Sequence, residues 1–378
     1  MNAAAPKILI MAGGTGGHIF PALTIAQALM ARGAQVEWLG TRQGLEAKVI
    51  GNTAIPLHCI RIGGLRGKAL WRKLLAPFAI AVAVCQAWRV IRRSAPGCVL
   101  GLGGFVTGPG GVAAWLAGKP LLIHEQNAIA GLTNTLLYPL AQVVMEGFPA
   151  AFTRKVQLQP ALARCVRKAK TQDVGNPVRQ TLSPVTSAGN TAAKASAPLH
   201  LLVLGGSLGA AALNAVVPRL LQKVATSGAL EVRHQCGEKL LEATHAAYRD
   251  AGLAIGGAIS VAPFIDDMAA AYRWADLVLC RAGASTVAEL CMCGLPAILV
   301  PYPHAVDDHQ RANAQVMVAA GAALMVPQQE LDAEALWQLL APLCHDRAPL
   351  RAMGAAAASL ARPQAAARAA DLCLEYCA

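Results

Sequence analysis

Twice in this chain a short apolar run breaks into glycine and then into a helical pattern. Lys7-Ile8-Leu9-Ile10 leads into Gly13-Gly14-Thr15-Gly16-Gly17-His18. Much later, His200-Leu201-Leu202-Val203-Leu204 leads into Gly205-Gly206-Ser207-Leu208-Gly209. Apolar runs this short suit strands buried on both faces, and such strands imply a parallel sheet covered by helices. In the first copy, a helical stretch from Pro21 to Arg32 is stopped by Gly33, and Val36-Glu37-Trp38-Leu39-Gly40 reads as the next strand. That is a βαβ start. Because the design restarts near residue 200, the expected fold is α/β, with two similar domains facing each other across a cleft. At 378 residues the chain is too long for one ordinary core, which agrees. Further strands are expected at Val99–Leu102, Leu121–His124, Val232–Gln235, Leu277–Cys280 and Ala297–Val300. The Ser/Thr/Ala-rich stretch 181–197 reads as hinge and surface linker, and the Ala/Arg-rich tail from Ala352 to Ala370 as helix.

The second half carries the sharpest chemical signal. Between the run Leu277-Val278-Leu279-Cys280 and a helix over Thr286 to Cys293 stands Arg281-Ala282-Gly283-Ala284-Ser285. A small-residue turn leaves backbone N–H groups free at the helix start, and those donors favour an anion such as a phosphate. Glu289, about one turn on, can accept two hydroxyl hydrogen bonds, as a ribose would offer. The plainer reading is a strand–helix corner with a solvated Glu289.

Hydrophobic residues make up 55% of the chain and charged residues only 14%, which suits large buried sheets or contact with a membrane. The net charge of +12 suits anionic partners: nucleic acid, acidic lipid or phosphorylated substrates. From Ala47 to His124 there is no acidic residue, while Arg61, Arg66, Lys68, Arg72, Lys73, Arg89, Arg92 and Arg93 bracket the apolar run Leu74–Trp88. Fifteen residues are too few to span a bilayer, which takes about 20, so no transmembrane helix is expected. A basic-flanked apolar helix lies either in a membrane interface or in the core with basic ends. No signal peptide is visible, since the chain enters its first strand almost at once. Eleven cysteines, with no Cys-x-x-Cys and no histidine at ligand spacing from Cys291 and Cys293, read as reduced core residues of a cytosolic protein rather than a zinc site.

Several nucleotide chemistries are excluded by spacing. G-x-G-x-x-G fails at Ile19 after the first turn and at Val106 after Gly101-Leu102-Gly103-Gly104-Phe105, and the strand after the first turn ends in Gly40-Thr41-Arg42 without an acid. The Walker pattern is absent, and no Asp-x-Asp occurs to hold a nucleotide sugar through a metal. No metal and no cofactor are therefore expected, and diphosphate binding by backbone amides remains, in both halves. His18 closes the first glycine turn beside a predicted helix start, which disfavours the imidazolium, so a neutral ring can take a proton from an attacking hydroxyl. Glu125, at the end of the strand before Gln126 and Asn127, is the rival base; otherwise it orients loops. His304 and His309 are five apart, which is not a metal-binding pair on one helix face. Polar sugar contacts suit that stretch better, with Gln310 offering donor and acceptor.

Taken together, the motifs resemble one family. They are Gly13 to Pro21, Gly101 to Phe105, His124-Glu125-Gln126-Asn127, Gly175-Asn176-Pro177-Val178-Arg179, Gly205 to Ala210, Arg281 to Glu289, and Asp308-His309-Gln310. The chain is similar to the bacterial N-acetylglucosaminyltransferases that make lipid II, within the glycosyltransferases of the GT-B fold, whose two Rossmann-like domains carry parallel sheets facing across a cleft. The resemblance implies an N-terminal domain over 1–178 for the acceptor, lipid I, and for membrane docking. A C-terminal helix over 361–378 would pack back on it. It implies a donor domain over 179–360 for UDP-N-acetylglucosamine. Arg179 and Ser207 would face the donor diphosphate, and Ile265 would offer its backbone to the uracil. Ala284, Ser285, Thr286, Val287, Ala288 and Glu289 would take phosphate and ribose, while Gln310, Asn127, Thr15, Gly16 and Gly17 would approach the sugar. Gly14, Gly103 and Gly104 would lie by the acceptor diphosphate. The implied reaction is inverting transfer to the muramyl 4-hydroxyl of lipid I, with His18 as base or acceptor holder and Glu125 second. The implied location is peripheral, on the cytoplasmic face of the inner membrane, against anionic lipid and near other cell-wall and division proteins.

Two other functions stay open from the sequence. A UDP-sugar epimerase of the same fold would need no membrane surface, and the acid-free segment 47–124 speaks against it. A basic nucleic-acid-binding protein would interleave exposed aromatics with its charges. Here aromatics are 4% and the glycines sit at strand ends, so no nucleic acid is expected.

Overall fold

A computed structural model describes residues 5–63, 76–166, 171–184, 197–206, 208–224 and 228–377. Its strands form two parallel sheets. The first contains β1 (Lys7–Ala12), β2 (Gln35–Gly40), β3 (Leu57–Cys59), β4 (Cys98–Gly103), β5 (Leu121–Glu125), β6 (Val143–Glu146) and β7 (Thr171–Asp173), in the order β3-β2-β1-β4-β5-β6-β7. The second contains β8 (Leu199–Leu204), β9 (Leu230–Gln235), β10 (Ile259–Ala262), β11 (Leu277–Cys280), β12 (Ala297–Leu299) and β13 (Ala323–Met325), in the order β10-β9-β8-β11-β12-β13. Each pairing within the two sheets is parallel. The chain divides into two compact units, Met1–Arg179 with Arg362–Ala378, and Gln180–Ala361. Arg179, assigned to the donor domain from the sequence, is thus the last residue of the first unit before the chain leaves it.

Strand β1 shows why these runs are apolar throughout. Ile8, Ile10 and Ala12 pack into the cluster on one face of the sheet, and Leu9 and Met11 into the cluster on the other. Alternate side chains point to opposite faces, so a strand with helices on both sides must be apolar at every position. Each such Ile or Leu contributes roughly 1.5–3 kcal/mol by leaving water.

Several boundaries differ from the sequence reading. The first helix runs from Gly16 to Met30, with Pro21 inside it rather than opening it. Gly16 and Gly17 have no side chains to show a period, so the apolar pattern begins only after them. Similarly, the helix expected from Thr286 starts at Ala284. The tail forms two helices, Ala348–Ser359 and Ala365–Glu375, parted around Pro363. The second of these packs on Gly16–Met30, placing Ala369, Ala370 and Cys373 in one cluster with Ala22 and Ile25. Strands β3, β6, β7, β10 and β13 are three or four residues long, too short to show a period. Most of the expected linker 181–197 lies outside the described residues, as do 64–75 of the basic segment.

Candidate active site

In each sheet the strand order turns back on itself once, at β1 with β4 and at β8 with β11. Open parallel sheets bind ligands beyond the carboxyl ends of the strands at such a switch point. All four strands end in the small-residue turns picked out from the sequence.

In the first unit the two glycine turns touch. Gly14, Gly103 and Gly104 take φ of +94°, +111° and +79°, a left-handed backbone that glycine alone adopts without strain. A Cβ at Gly104 would lie 2.1 Å from the Gly13 carbonyl oxygen, and one at Gly103 would lie 3.0 Å from the His18 ring. Two buried residues that the sequence reading passed over hold these turns. Glu46 accepts from the Gly14 N–H (3.3 Å), the Thr41 N–H (3.0 Å) and the Thr41 hydroxyl (2.7 Å). Thr107 Oγ1 accepts from the Gly103 N–H (3.1 Å) and lies 2.7 Å from the Gly103 carbonyl. The N–H groups of Gly16 and Gly17 stand ahead of the first intrahelical bonds, at the positive end of a 15-residue helix.

His18 lies half-buried in the first turn of that helix, not before it. Its Nδ1 is 2.7 Å from Gln126 Oε1. Gln126 Nε2 in turn donates to His124 Nδ1 (3.0 Å) and to the His124 carbonyl (2.9 Å), and His124 Nε2 lies 2.9 Å from the Gly175 carbonyl. His124 is fully buried, and desolvation pushes its pKa down to about 4, so it is neutral near pH 7. Glu125 is also buried, and both its oxygens are engaged. One accepts from the Asn127 N–H and side-chain amide (2.9 and 3.1 Å), the other from the Gly131 N–H and Asn134 Nδ2 (2.9 Å each). Arg179 lies over the Phe20 ring at 5.3 Å, on the same helix as His18.

In the second unit the turn after β11 opens the helix Ala284–Cys293, with extended Gly283 as its N-cap. Ahead of the first bond, from the Val287 N–H to the Gly283 carbonyl (2.9 Å), the first-turn amides of Ala284, Ser285 and Thr286 are available to an anion. Ser285 Oγ is buried and has no hydrogen-bond partner among the described residues, a group that a ligand oxygen would satisfy. Val287 is core and Ala288 half-buried, so those two serve through the backbone. Glu289 is 9% exposed rather than solvated, and Tyr272 donates its hydroxyl to Glu289 Oε2 at 2.9 Å. Burial and the adjacent carboxylate raise the Tyr272 pKa well above 10, so the phenol remains a donor.

Gln235 was also missed. Its Oε1 accepts from the Gly206 N–H (3.0 Å), and its Nε2 donates to the carbonyls of Gly206 (3.1 Å) and Pro263 (2.9 Å). One side chain thereby fixes the glycine turn after β8 and the loop that carries Ile265. Ile265 also lines a groove of about 440 Å³ with Arg233, Ser260 and Trp274. Gln310 Oε1 accepts from the Tyr302 N–H at 2.9 Å, and Arg281 donates to Gln328 Oε1 (2.6 Å) and the Val300 carbonyl (3.1 Å). Ser207 lies outside the described residues. Among the described residues no cluster of three or more His, Cys, Asp or Glu side chains is placed to hold a metal ion.

Comparison with known proteins gives this geometry a family. The profile of the glycosyltransferase family 28 N-terminal domain matches residues 8–146, and that of the glycosyltransferase family 28 C-terminal domain matches residues 200–369. The chain is 52% identical over 369 residues to the UDP-N-acetylglucosamine--N-acetylmuramyl-(pentapeptide) pyrophosphoryl-undecaprenol N-acetylglucosamine transferase of Marinobacter nauticus, covering 98% of this chain and 97% of that one. Among solved structures, Acinetobacter baumannii MurG is 41% identical with a TM-score of 0.79, covering 98% of this chain and 99% of its own. A putative UDP-N-acetylglucosamine 2-epimerase from Listeria monocytogenes superposes with a TM-score of 0.69 at 15% identity, covering 97% of this chain and 95% of its own, which is a likeness of fold alone. With both halves matched in order and half the residues shared with a full-length relative, the chain belongs to glycosyltransferase family 28 and is a glycosyltransferase of the MurG group.

Proposed function

We propose that this enzyme transfers N-acetylglucosamine from UDP-N-acetylglucosamine to the muramyl 4-hydroxyl of lipid I, with inversion, giving lipid II. The observation that carries the reading is the full-length 52% identity to a relative named for this transfer. The second unit takes the donor: diphosphate on the amides of Ala284 to Thr286 and the Ser285 hydroxyl, ribose on Glu289, uracil by Ile265, sugar by Gln310. As the bond to the anomeric carbon breaks, the charge growing on UDP meets preset backbone dipoles, which need no reorganisation at that moment. The first unit takes the acceptor, its diphosphate by the amides around Gly14, Gly103 and Gly104. His18 removes the proton from the attacking hydroxyl. Glu125 shapes the Gln126–Gly131 turn, since its two oxygens are already occupied by four N–H donors. The test is UDP release from UDP-N-acetylglucosamine with and without a lipid I analogue. Release that requires the analogue supports transfer, whereas turnover of the donor alone supports the epimerase reading.

The enzyme works peripherally on anionic lipid of the inner membrane. The helix Ala76–Ser94 supports this because it is divided along its length. Ala83, Ala87 and Ile91 form the buried stripe, while Phe78 is 73% exposed and Ile80, Val82 and Trp88 are also on the surface. The adjacent helix Thr107–Leu116, and Leu132–Leu137 packed in turn on that helix, add exposed Trp115, Leu116, Leu132 and Leu136. Arg92 lies 5.6 Å from the Trp88 ring. Large apolar side chains beside arginines fit the headgroup boundary, whereas a core helix would hide them. No helix of the described residues is long and apolar enough to cross a membrane. Replacing Phe78 and Trp115 together by serine is expected to weaken binding to phosphatidylglycerol vesicles by about tenfold or more, since each buried aromatic contributes roughly 1.5–3 kcal/mol. Co-sedimentation equal to the parent protein would argue against this face.

A further inference from the structure

The line His18–Gln126–His124–Gly175 has only one consistent set of proton positions. Gln126 Nε2 faces the His124 carbonyl oxygen at 2.9 Å, so the amide cannot be flipped without setting two oxygens against each other. Both hydrogens of that nitrogen are used, on the His124 carbonyl and on His124 Nδ1. His124 Nε2 must carry its hydrogen to reach the Gly175 carbonyl, which leaves Nδ1 as the acceptor. This is a neutral ring, as its burial requires. Gln126 Oε1 can then only accept, so the His18 Nδ1 at 2.7 Å must be protonated. The Gln126 backbone is also held, because Asn176 Nδ2 donates to its carbonyl at 2.9 Å. The charged group beside the line is the Glu125 carboxylate, tied by Asn127, Gly131 and Asn134.

We infer that Gln126 is a positioning residue that holds His18 in the Nδ1–H tautomer and so keeps the Nε2 lone pair available as the base. The inference rests on the reading of His18 as the proton acceptor. It adds that Nδ1–H is common to the neutral ring and the imidazolium. A proton can therefore enter and leave Nε2 while every bond of the line is retained. An imidazole in water favours the other tautomer, with the hydrogen on Nε2, which could not accept the proton there.

The test is long-range proton–nitrogen NMR of the full chain labelled with 15N-histidine, at a pH where the rings are neutral, with the His18 signal assigned by its loss in His18→Gln. The expected wild-type pattern is Nδ1–H at His18. In Gln126→Leu the ring should revert toward Nε2–H, with kcat down about ten- to a hundredfold and the KM for UDP-N-acetylglucosamine within about twofold. Gln126→Glu retains an acceptor for Nδ1–H and adds a charge, so the acid limb of its pH–rate profile should move to higher pH. An Nε2–H pattern in the wild type would overturn the inference even if neither variant folds. So would a Gln126→Leu protein that loses turnover with its tautomer unchanged. Near-normal turnover of His18→Ala would instead overturn the base assignment, whatever the tautomer.

Discussion

His18→Ala is expected to lower kcat by about two to four orders of magnitude, the usual contribution of a positioned general base. The fold should survive, because the helix bearing His18 is anchored by Ile19, Ala22, Ile25, Ala26 and Leu29, all essentially buried. The lost ring leaves a gap against Gly103 and removes one hydrogen bond from the buried Gln126, a local cost outside the apolar clusters that pack on the sheet. The KM for UDP-N-acetylglucosamine should change little, since the proposed donor contacts of nucleoside and diphosphate lie in the second unit. Steady-state kinetics with a lipid I analogue, beside a thermal melt, checks both parts. Turnover close to the parent would mean that water or another group takes the proton. Glu125 makes a useful contrast. Removing a carboxylate that four N–H donors share should show first as a lower melting temperature, because the buried acceptor that holds the Gln126–Gly131 turn would be lost.

Glu289→Ala should weaken UDP binding by about tenfold or more, while the acceptor KM stays within about twofold. A hydrogen bond to a charged group is worth about 1.5–3 kcal/mol, and each 1.4 kcal/mol is a factor of ten. The alanine variant also leaves the Tyr272 hydroxyl buried without its acceptor, so some loss of stability accompanies the loss of affinity. Glu289→Gln separates the two effects, since its amide oxygen can still accept from Tyr272 while the charge is gone. Calorimetry with UDP on both variants reads affinity, and a melt reads stability. If UDP bound equally well and the acceptor KM rose, the ribose would have been put in the wrong unit.

Much of this site was legible as sequence because its elements are local. The turns at Gly13, Gly101, Gly205 and Arg281 each follow an apolar run at once, and a strand end with free amides can be read from a dozen neighbouring letters. His18, Ser285 and Glu289 stand within or just after such turns. The residues that hold the turns were not legible. Gln126 meets His18 across 108 positions, Thr107 reaches β1 across 96, and Glu46 reaches Gly14 across 32. Nothing near Gln235 or Tyr272 in the chain marks one as a clamp on two loops or the other as the partner of Glu289. The glycines had the opposite effect on helix starts. Lacking side chains, Gly16 and Gly17 hid the first turn of the very helix that carries His18.

The sequence by itself determined that this protein has two parallel-sheet halves with amide-lined turns at their strand ends. Burial on both faces and backbone freedom at glycine are properties of a few adjacent residues. Only the tertiary structure decided which carboxylate is occupied and which ring nitrogen of His18 is tied. Glu125 and His18 look alike as candidates until the partners of each are brought in from distant strands. Hydrogen bonds made across the fold, not the identity of the side chain, set what each can still accept.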